Sequence, residues 1–368
     1  MRPSAHVVTF LASAAVLFLS AAVSDADTIR VDNAGGGDYL TIQEALDAAD
    51  DGDQILIAPG TYTGPQNRDL TFGNNEDVVV ESEFGLPTVA IDCQGMGRAF
   101  YMHNTGQDST TVIRGLLIVD GYTDDYNGGA IKIYNTDPVI EDCIFQDCSV
   151  SHNAGAVYIS YTGQGTALRP RVRNCVFRDC YATYRAGALM VDHAGAAIHH
   201  CLFVDNSTSM GGQDFYGGGA MHLNWVDDRY LRTDVSSCTF VGNSTGGRGE
   251  AIFGWNSVVN TFLTNCIVAF HEGPNLAVDS SPLIDGLTFF VMYGNVGGNI
   301  DPGYSTIIVG DPLFCDMESS DYTLCSNSPA LPGGNIYGQL IGFADQGCGE
   351  CDSAVQETSW GSIKALFR

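Results

Sequence analysis

The chain has 368 residues, 45% of them hydrophobic and only 16% charged, which is enough apolar content for a large core and excludes global disorder. Its charge is lopsided: 43 Asp and Glu against 16 Lys and Arg give a net -27. Such a surface repels phosphate backbones and anionic headgroups, so nucleic acid is excluded as a partner.

In chain order, Arg2 precedes an apolar run from Val7 to Val23 and the small residues Ser24-Asp25-Ala26. This pattern predicts a signal peptide over 1–26 and an exported protein, secreted or held at the cell surface. No later apolar run reaches the ~18 residues of a membrane span, so the mature chain is expected to have no transmembrane segment. Thr41 with Glu44 makes a capping box, and Ile42, Ala45, Leu46 and Ala49 fall on one helical face. The pattern predicts a helix over 41–50 that plugs the first coil of a repeat array.

The array itself is written in two alternating motifs. Gly128-Gly129-Ala130-Ile131 recurs as Ala154-Gly155-Ala156-Val157, Ala186-Gly187-Ala188-Leu189, Gly218-Gly219-Ala220-Met221 and Gly249-Glu250-Ala251-Ile252. After each comes an apolar strand built around a cysteine: Cys143, Cys175, Cys201, Cys238 and Cys266. The minimal period is 26 residues, with insertions at fixed corners. Such a unit cannot bury its inner face alone, so successive coils must stack at about 4.8 Å around a shared core. The pattern predicts an all-β, right-handed, single-stranded parallel β-helix over 27–347. Residues 311–347 are expected as its terminal cap coil and 348–368 as a C-terminal tail.

The repeats resemble those of polymorphic outer-membrane proteins, with Gly-Gly-Ala-Ile followed by Phe-x-x-Asn. The second signature reads Phe203-Val204-Asp205-Asn206 and Phe240-Val241-Gly242-Asn243, and Cys replaces its Asn at Cys148 and Cys180. More broadly, the opening Gly37-Asp38-Tyr39 through Gly60-Thr61-Tyr62 resembles the entry of the pectin-lyase-like β-helix superfamily. That resemblance implies the fold; enzymes, adhesins and binding scaffolds all share it.

The register-matched cysteines from Cys143 to Cys266 are expected as buried free thiols, because parallel Cβ vectors do not converge into disulfides. Cys148 and Cys180 sit at a corner where a free pair and a disulfide both remain open. Cys315 and Cys325 are expected to staple the terminal segment. Cys348-Gly349-Glu350-Cys351 is read as an oxidised tail or staple, since zinc would need a second pair, such as Cys315 and Cys325.

Alternation along the Gly-Gly-Ala strands points Lys132, Tyr158, Met190, His222 and Phe253 outward, with Tyr134, Ser160, Asp192, Asn224 and Trp255 in the next outward column. Aromatic faces stack on sugar rings while amide, carboxylate and imidazole groups bind hydroxyls, so a glycan-binding face is expected from Tyr134, Tyr158, Tyr161, His193, Asn224, Trp225 and Trp255. The alternative on the same face is polysaccharide cleavage by a lyase or hydrolase using Lys132, Asp192 and His222. Asn135-Thr136-Asp137 and Asp214-Phe215-Tyr216-Gly217 echo fragments of polygalacturonase and pectin methylesterase signatures, but the remaining signature residues are missing. No organic cofactor is expected. Calcium is the metal that the loop pairs Asp124-Asp125 and Asp227-Asp228 would suit. The expected function is therefore binding or adhesion toward a polysaccharide or cell-surface glycan by a monomer, with a purely structural surface component as a third reading.

Overall fold

The computed structural model describes residues 26–73, 77–103, 108–162, 168–224, 232–255, 261–272, 276–278, 286–294, 307–335 and 338–351. The signal-peptide segment up to residue 25 and the tail beyond residue 351 lie outside the described residues. The chain winds into stacked coils whose strands pair in parallel with their equivalents one coil away, as a right-handed parallel β-helix requires. One face is a seven-stranded sheet that includes Ile131–Tyr134, Val157–Ser160, Leu189–Asp192, Met221–Asn224 and Ile252–Trp255. Their register is unbroken: Ile131 pairs with Val157, Val157 with Leu189, Leu189 with Met221 and Met221 with Ile252.

The helix at the N-terminal end spans Ile42–Ala48, with the Thr41 side chain capping the Glu44 amide. Ile42, Ala45, Leu46 and Ala49 are buried, as the plug requires.

The repeat motif is a consequence of close stacking. A Cβ on Gly129, Gly155 or Gly187 would meet the carbonyl oxygen of Gly155, Gly187 or Gly219 at 2.2, 2.2 and 2.1 Å. Only glycine lets adjacent coils approach this closely. Inside, Phe145, Phe177, Phe203 and Phe240 stack face to face, with ring centroids 4.8, 4.7 and 4.7 Å apart.

The cysteine ladder is buried and free, Cys148 and Cys180 included. Each ladder thiol donates to the carbonyl two residues back, from Cys143 to Glu141 at 3.2 Å through Cys266 to Thr264 at 3.3 Å. Burial pushes the thiols of Cys143, Cys175, Cys201 and Cys266 well above their ordinary range, which leaves them chemically inert. Where Cys148 and Cys180 give way to Asn206 and Asn243, the column becomes an amide ladder. Asn206 Nδ2 donates to Phe177 O at 3.0 Å and to Asn243 Oδ1 at 2.9 Å, while Asn206 Oδ1 accepts from Cys180 N at 3.1 Å.

Outside, charges alternate across coils. Arg114 bridges Glu81 at 2.7 Å and Glu141 at 2.5 Å, and Arg173 joins Glu141 from the next coil. The cluster Arg169, Arg171 and Arg173 is thus largely a set of ion-pair partners, Arg169 pairing with Asp234.

The terminal segment departs from expectation. Instead of adding a coil, Phe314–Asp316, Asp321–Cys325 and Gln346–Cys348 form a small separate sheet. Leu324, Ala330, Leu331 and Ile341 pack against Leu202, Val204, Val241, Ile267 and Ala269, which lie on the flank of the helix. Gly342 N donates to Asn265 O at 2.8 Å and Phe343 N to Thr239 Oγ1 at 2.9 Å. Outward Leu and Val at those strand positions, unusual for a solvated face, are what the segment covers.

The expected Cys315–Cys325 staple is also replaced: Cys315 bonds Cys348 and Cys325 bonds Cys351. Cys315 and Cys325 lie on paired antiparallel strands, and each reaches the Cys-x-x-Cys turn rather than the other.

Candidate functional site

The outward face of the seven-stranded sheet is not an open groove. Tyr158 is 6% exposed, and Met190, His222 and Phe253 are fully buried. Side chains from the preceding corners lie over this region: Arg248 sits 5.9 Å from the Phe253 ring, Arg185 sits 5.1 Å from Phe215, and Phe215 meets Trp255 at 5.8 Å.

A polar cluster sits at its edge. The Asp192 carboxylate accepts from the Tyr158 hydroxyl, from His193 Nδ1 at 2.8 Å and from Asn224 Nδ2 at 2.6 Å. Burial alone would raise the Asp192 carboxyl, but the bonds from His193, Tyr158 and Asn224 outweigh it and hold it at about 2. The same bond to Asp192 raises His193 against the opposing effect of its own burial. His193 remains 43% exposed at its side chain, so Asp192 and His193 form an oriented carboxylate–imidazole pair open to solvent.

His222 is different. Burial, helped by the Arg185 charge, lowers it to about 3, so its ring is neutral. Its Nδ1 donates to Gly217 O at 3.2 Å, which leaves Nε2 as a bare acceptor without a partner among the described residues. Asn224 Oδ1 and Arg185 Nε are likewise unpartnered among the described residues.

Lys132 does not join this cluster. Its Nζ lies 3.4 Å from Asp125 and 5.4 Å from the Tyr101 ring, facing the preceding coil. Lys132 pairs with Tyr158, and Tyr158 with Met190, so two coils, about 10 Å, separate its strand from that of Asp192. Lys132, Asp192 and His222 therefore do not converge. Asp125 is engaged by Lys132 and, at 3.5 Å, by the buried Arg98, which works against a calcium role there; Asp124 is exposed beside it. Trp225, Asp227 and Asp228 lie outside the described residues.

Of the expected glycan contacts, Tyr134 stacks on His103 at 4.8 Å and bonds Thr162 at 2.8 Å through its hydroxyl. Tyr161 packs against the core, and Trp255 is half-buried against Phe215 and Phe253.

The open aromatic surface lies one corner earlier. Tyr126, His152, Tyr184 and Tyr216 form a ladder, with successive ring centroids 4.3, 5.2 and 5.1 Å apart. Backbone bonds join the rungs, from Asn153 N to Tyr126 O at 3.0 Å and from Tyr184 N to His152 O at 2.9 Å. Tyr126 is 60% exposed and the other three are half-buried. Beside it runs a strip of Tyr122, Ser149, Tyr181 and Ser207, in register on their short strands, with Tyr122 and Tyr181 exposed. The ladder has a sequence signal: each rung stands two residues before the small-residue motif, at Gly128, Ala154, Ala186 and Gly218.

The profile of a family described as a right handed beta helix region matches residues 88–228. A search of curated proteins finds no match. Among solved structures, pectate lyase Pel9A aligns with a TM-score of 0.51 and 13% identity, over 89% of this chain and 98% of its own. The pectin methylesterase from Aspergillus niger aligns with a TM-score of 0.41 and 15% identity, over 77% and 90%. At 13% identity the likeness to the pectate lyase concerns the fold alone; with the matching family profile and the coil register it establishes a right-handed parallel β-helix.

Proposed function

We propose that this protein is an exported β-helix that binds a polysaccharide or cell-surface glycan at or outside the cell envelope, as an adhesion or binding module. The observation that carries this reading is the ladder Tyr126–His152–Tyr184–Tyr216 with its hydroxyl-bearing neighbour strip. Its rungs repeat at a pitch comparable to a sugar ring, and aromatic faces beside hydroxyl donors are what a pyranose chain recruits. The net charge of -27 directs the choice toward neutral glycans and away from polyanions. The repeats' resemblance to polymorphic outer-membrane proteins and the signal-peptide pattern support the location. Affinity electrophoresis on neutral and uronate-bearing polysaccharides tests it: retardation by a neutral glycan, lost in Tyr184→Ala/Tyr216→Ala, supports it. Failure to bind any glycan favours a structural surface component.

The oriented Asp192–His193 pair favours a second reading, polysaccharide cleavage, in which His193 transfers the proton and Asp192 fixes its ring. The fold shared with a pectate lyase makes it worth testing. Release of reducing ends or unsaturated uronides, abolished by His193→Ala, would replace binding with catalysis as the function.

A further inference from the structure

We propose that the four cysteines of the terminal segment, when reduced, form a tetrathiolate site for one zinc ion. The two disulfides bring all four sulfurs into one cluster: across the bonded pairs, Cys348 Sγ lies 3.5 Å from Cys325 Sγ and 3.8 Å from Cys351 Sγ. Zinc bound to four thiolates at about 2.3 Å sets its sulfurs about 3.8 Å apart, so the two distances from Cys348 already match; the sulfurs of Cys315, Cys325 and Cys348 lie within 4.8 Å of one another, and Cys351 must close on Cys315 as the bonded pairs open.

The frame does not depend on the sulfur–sulfur bonds. Cys315, Cys325 and Cys348 lie on three strands of one small sheet, with Cys325 and Cys348 in register. Cys351 is held by Asn327, whose Nδ2 donates to Cys351 O at 2.8 Å and whose Oδ1 accepts from Cys351 N at 3.1 Å. Ser326 N donates to Gly349 O at 2.9 Å and fixes the turn between the last two cysteines. Cys348-Gly349-Glu350-Cys351 has the two-residue spacing of a zinc knuckle, and Cys315 with Cys325 completes the set. Loading is a simple exchange: four thiols release four protons and one zinc ion takes their place, with no electron transferred. The other eight cysteines are buried, so they do not compete.

The test uses the full chain, reduced by a phosphine under nitrogen and titrated with cobalt(II), which reports tetrahedral thiolate coordination by its visible bands. The expected result is one equivalent of cobalt bound, displaced by one equivalent of zinc, with the bands lost in Cys348→Ser and Cys351→Ser and kept in Cys93→Ala. Zinc should also raise the melting temperature of the reduced chain and leave that of the oxidised chain unchanged. A reduced chain that shows no such bands while four thiols react freely overturns the proposal. So do bands that survive Cys348→Ser, or a reduced chain whose melting temperature ignores zinc.

Discussion

Two outward surfaces of the same coils differ in a way that alternation does not foretell. The strands from Ile131–Tyr134 to Ile252–Trp255 point half their side chains away from the core, yet Met190, His222 and Phe253 there are fully buried. The corner just before those strands carries Tyr126, His152, Tyr184 and Tyr216 and remains open. Strand alternation reports which side faces the inner core; what lies over the other side depends on the preceding corners, here those carrying Arg185, Phe215 and Arg248. The buried face is a second, smaller core, and the corner beside it is the open surface.

The largest effect belongs to the buried face. Phe253→Ala removes a fully buried ring that meets His222 edge-on at 5.1 Å, and it should destabilise the protein by about 3–5 kcal/mol. Denaturant unfolding followed by tryptophan fluorescence measures it. A loss under about 1 kcal/mol would mean that the face is open after all.

The fold was legible in the sequence because stacking imposes residue types at fixed intervals. Gly155 and Gly187 are forced by carbonyls about 2 Å from a would-be Cβ, and Phe177 and Phe203 by ring-on-ring contact, so the period is written into the chain. The site was less legible. Asp192, Asn224 and Tyr158 stand out by their outward register and His193 at the edge of that column, and the structure joins them; Lys132 shares that register but turns to Asp125 on the corner just before its own strand. Register fixes a side chain's column, not its partner. The aromatic ladder went unread because its rungs sit on a corner, where no strand periodicity draws attention, although their constant offset from the glycine motif marks them. The disulfide pairing was illegible for a related reason: Cys315 and Cys325 are close in sequence, but both face a turn that folds back from beyond residue 345.

A middle-sized effect probes the boundary between the two surfaces. Asp192 titrates at about 2 in the folded chain against 3.8 ordinarily, a lowered value worth about 2 kcal/mol at neutral pH. That contribution is present above 3.8 and fades as pH falls through about 2. His193 is raised, so its share is complete below its ordinary 6.5 and is lost as pH rises through its folded value. The pair therefore stabilises most between those ordinary values. Asp192→Asn should cost about 2 kcal/mol near pH 5 and bring the His193 titration, followed by NMR, down toward 6.5. An unmoved His193 would show that the two side chains are not coupled.

The smallest effect on stability should come from the corner. Tyr184 is half-buried between His152 at 5.2 Å and Tyr216 at 5.1 Å, and its backbone amide also bonds His152 O. Tyr184→Ala removes two tilted ring contacts and leaves the Gly187 stacking and the Phe177 column untouched, so the loss should stay near about 1 kcal/mol. Its effect on a bound glycan should be larger than on the fold, at least about tenfold in affinity, because removing the third of four rungs leaves the pair Tyr126–His152 and a lone Tyr216. Tyr134→Ala, on the opposite edge of the same strands, serves as the control: it disturbs the His103 stack but should leave glycan affinity unchanged. If Tyr134→Ala weakens binding and Tyr184→Ala does not, the glycan lies on the sheet edge, and the open and closed surfaces have been assigned in the wrong order.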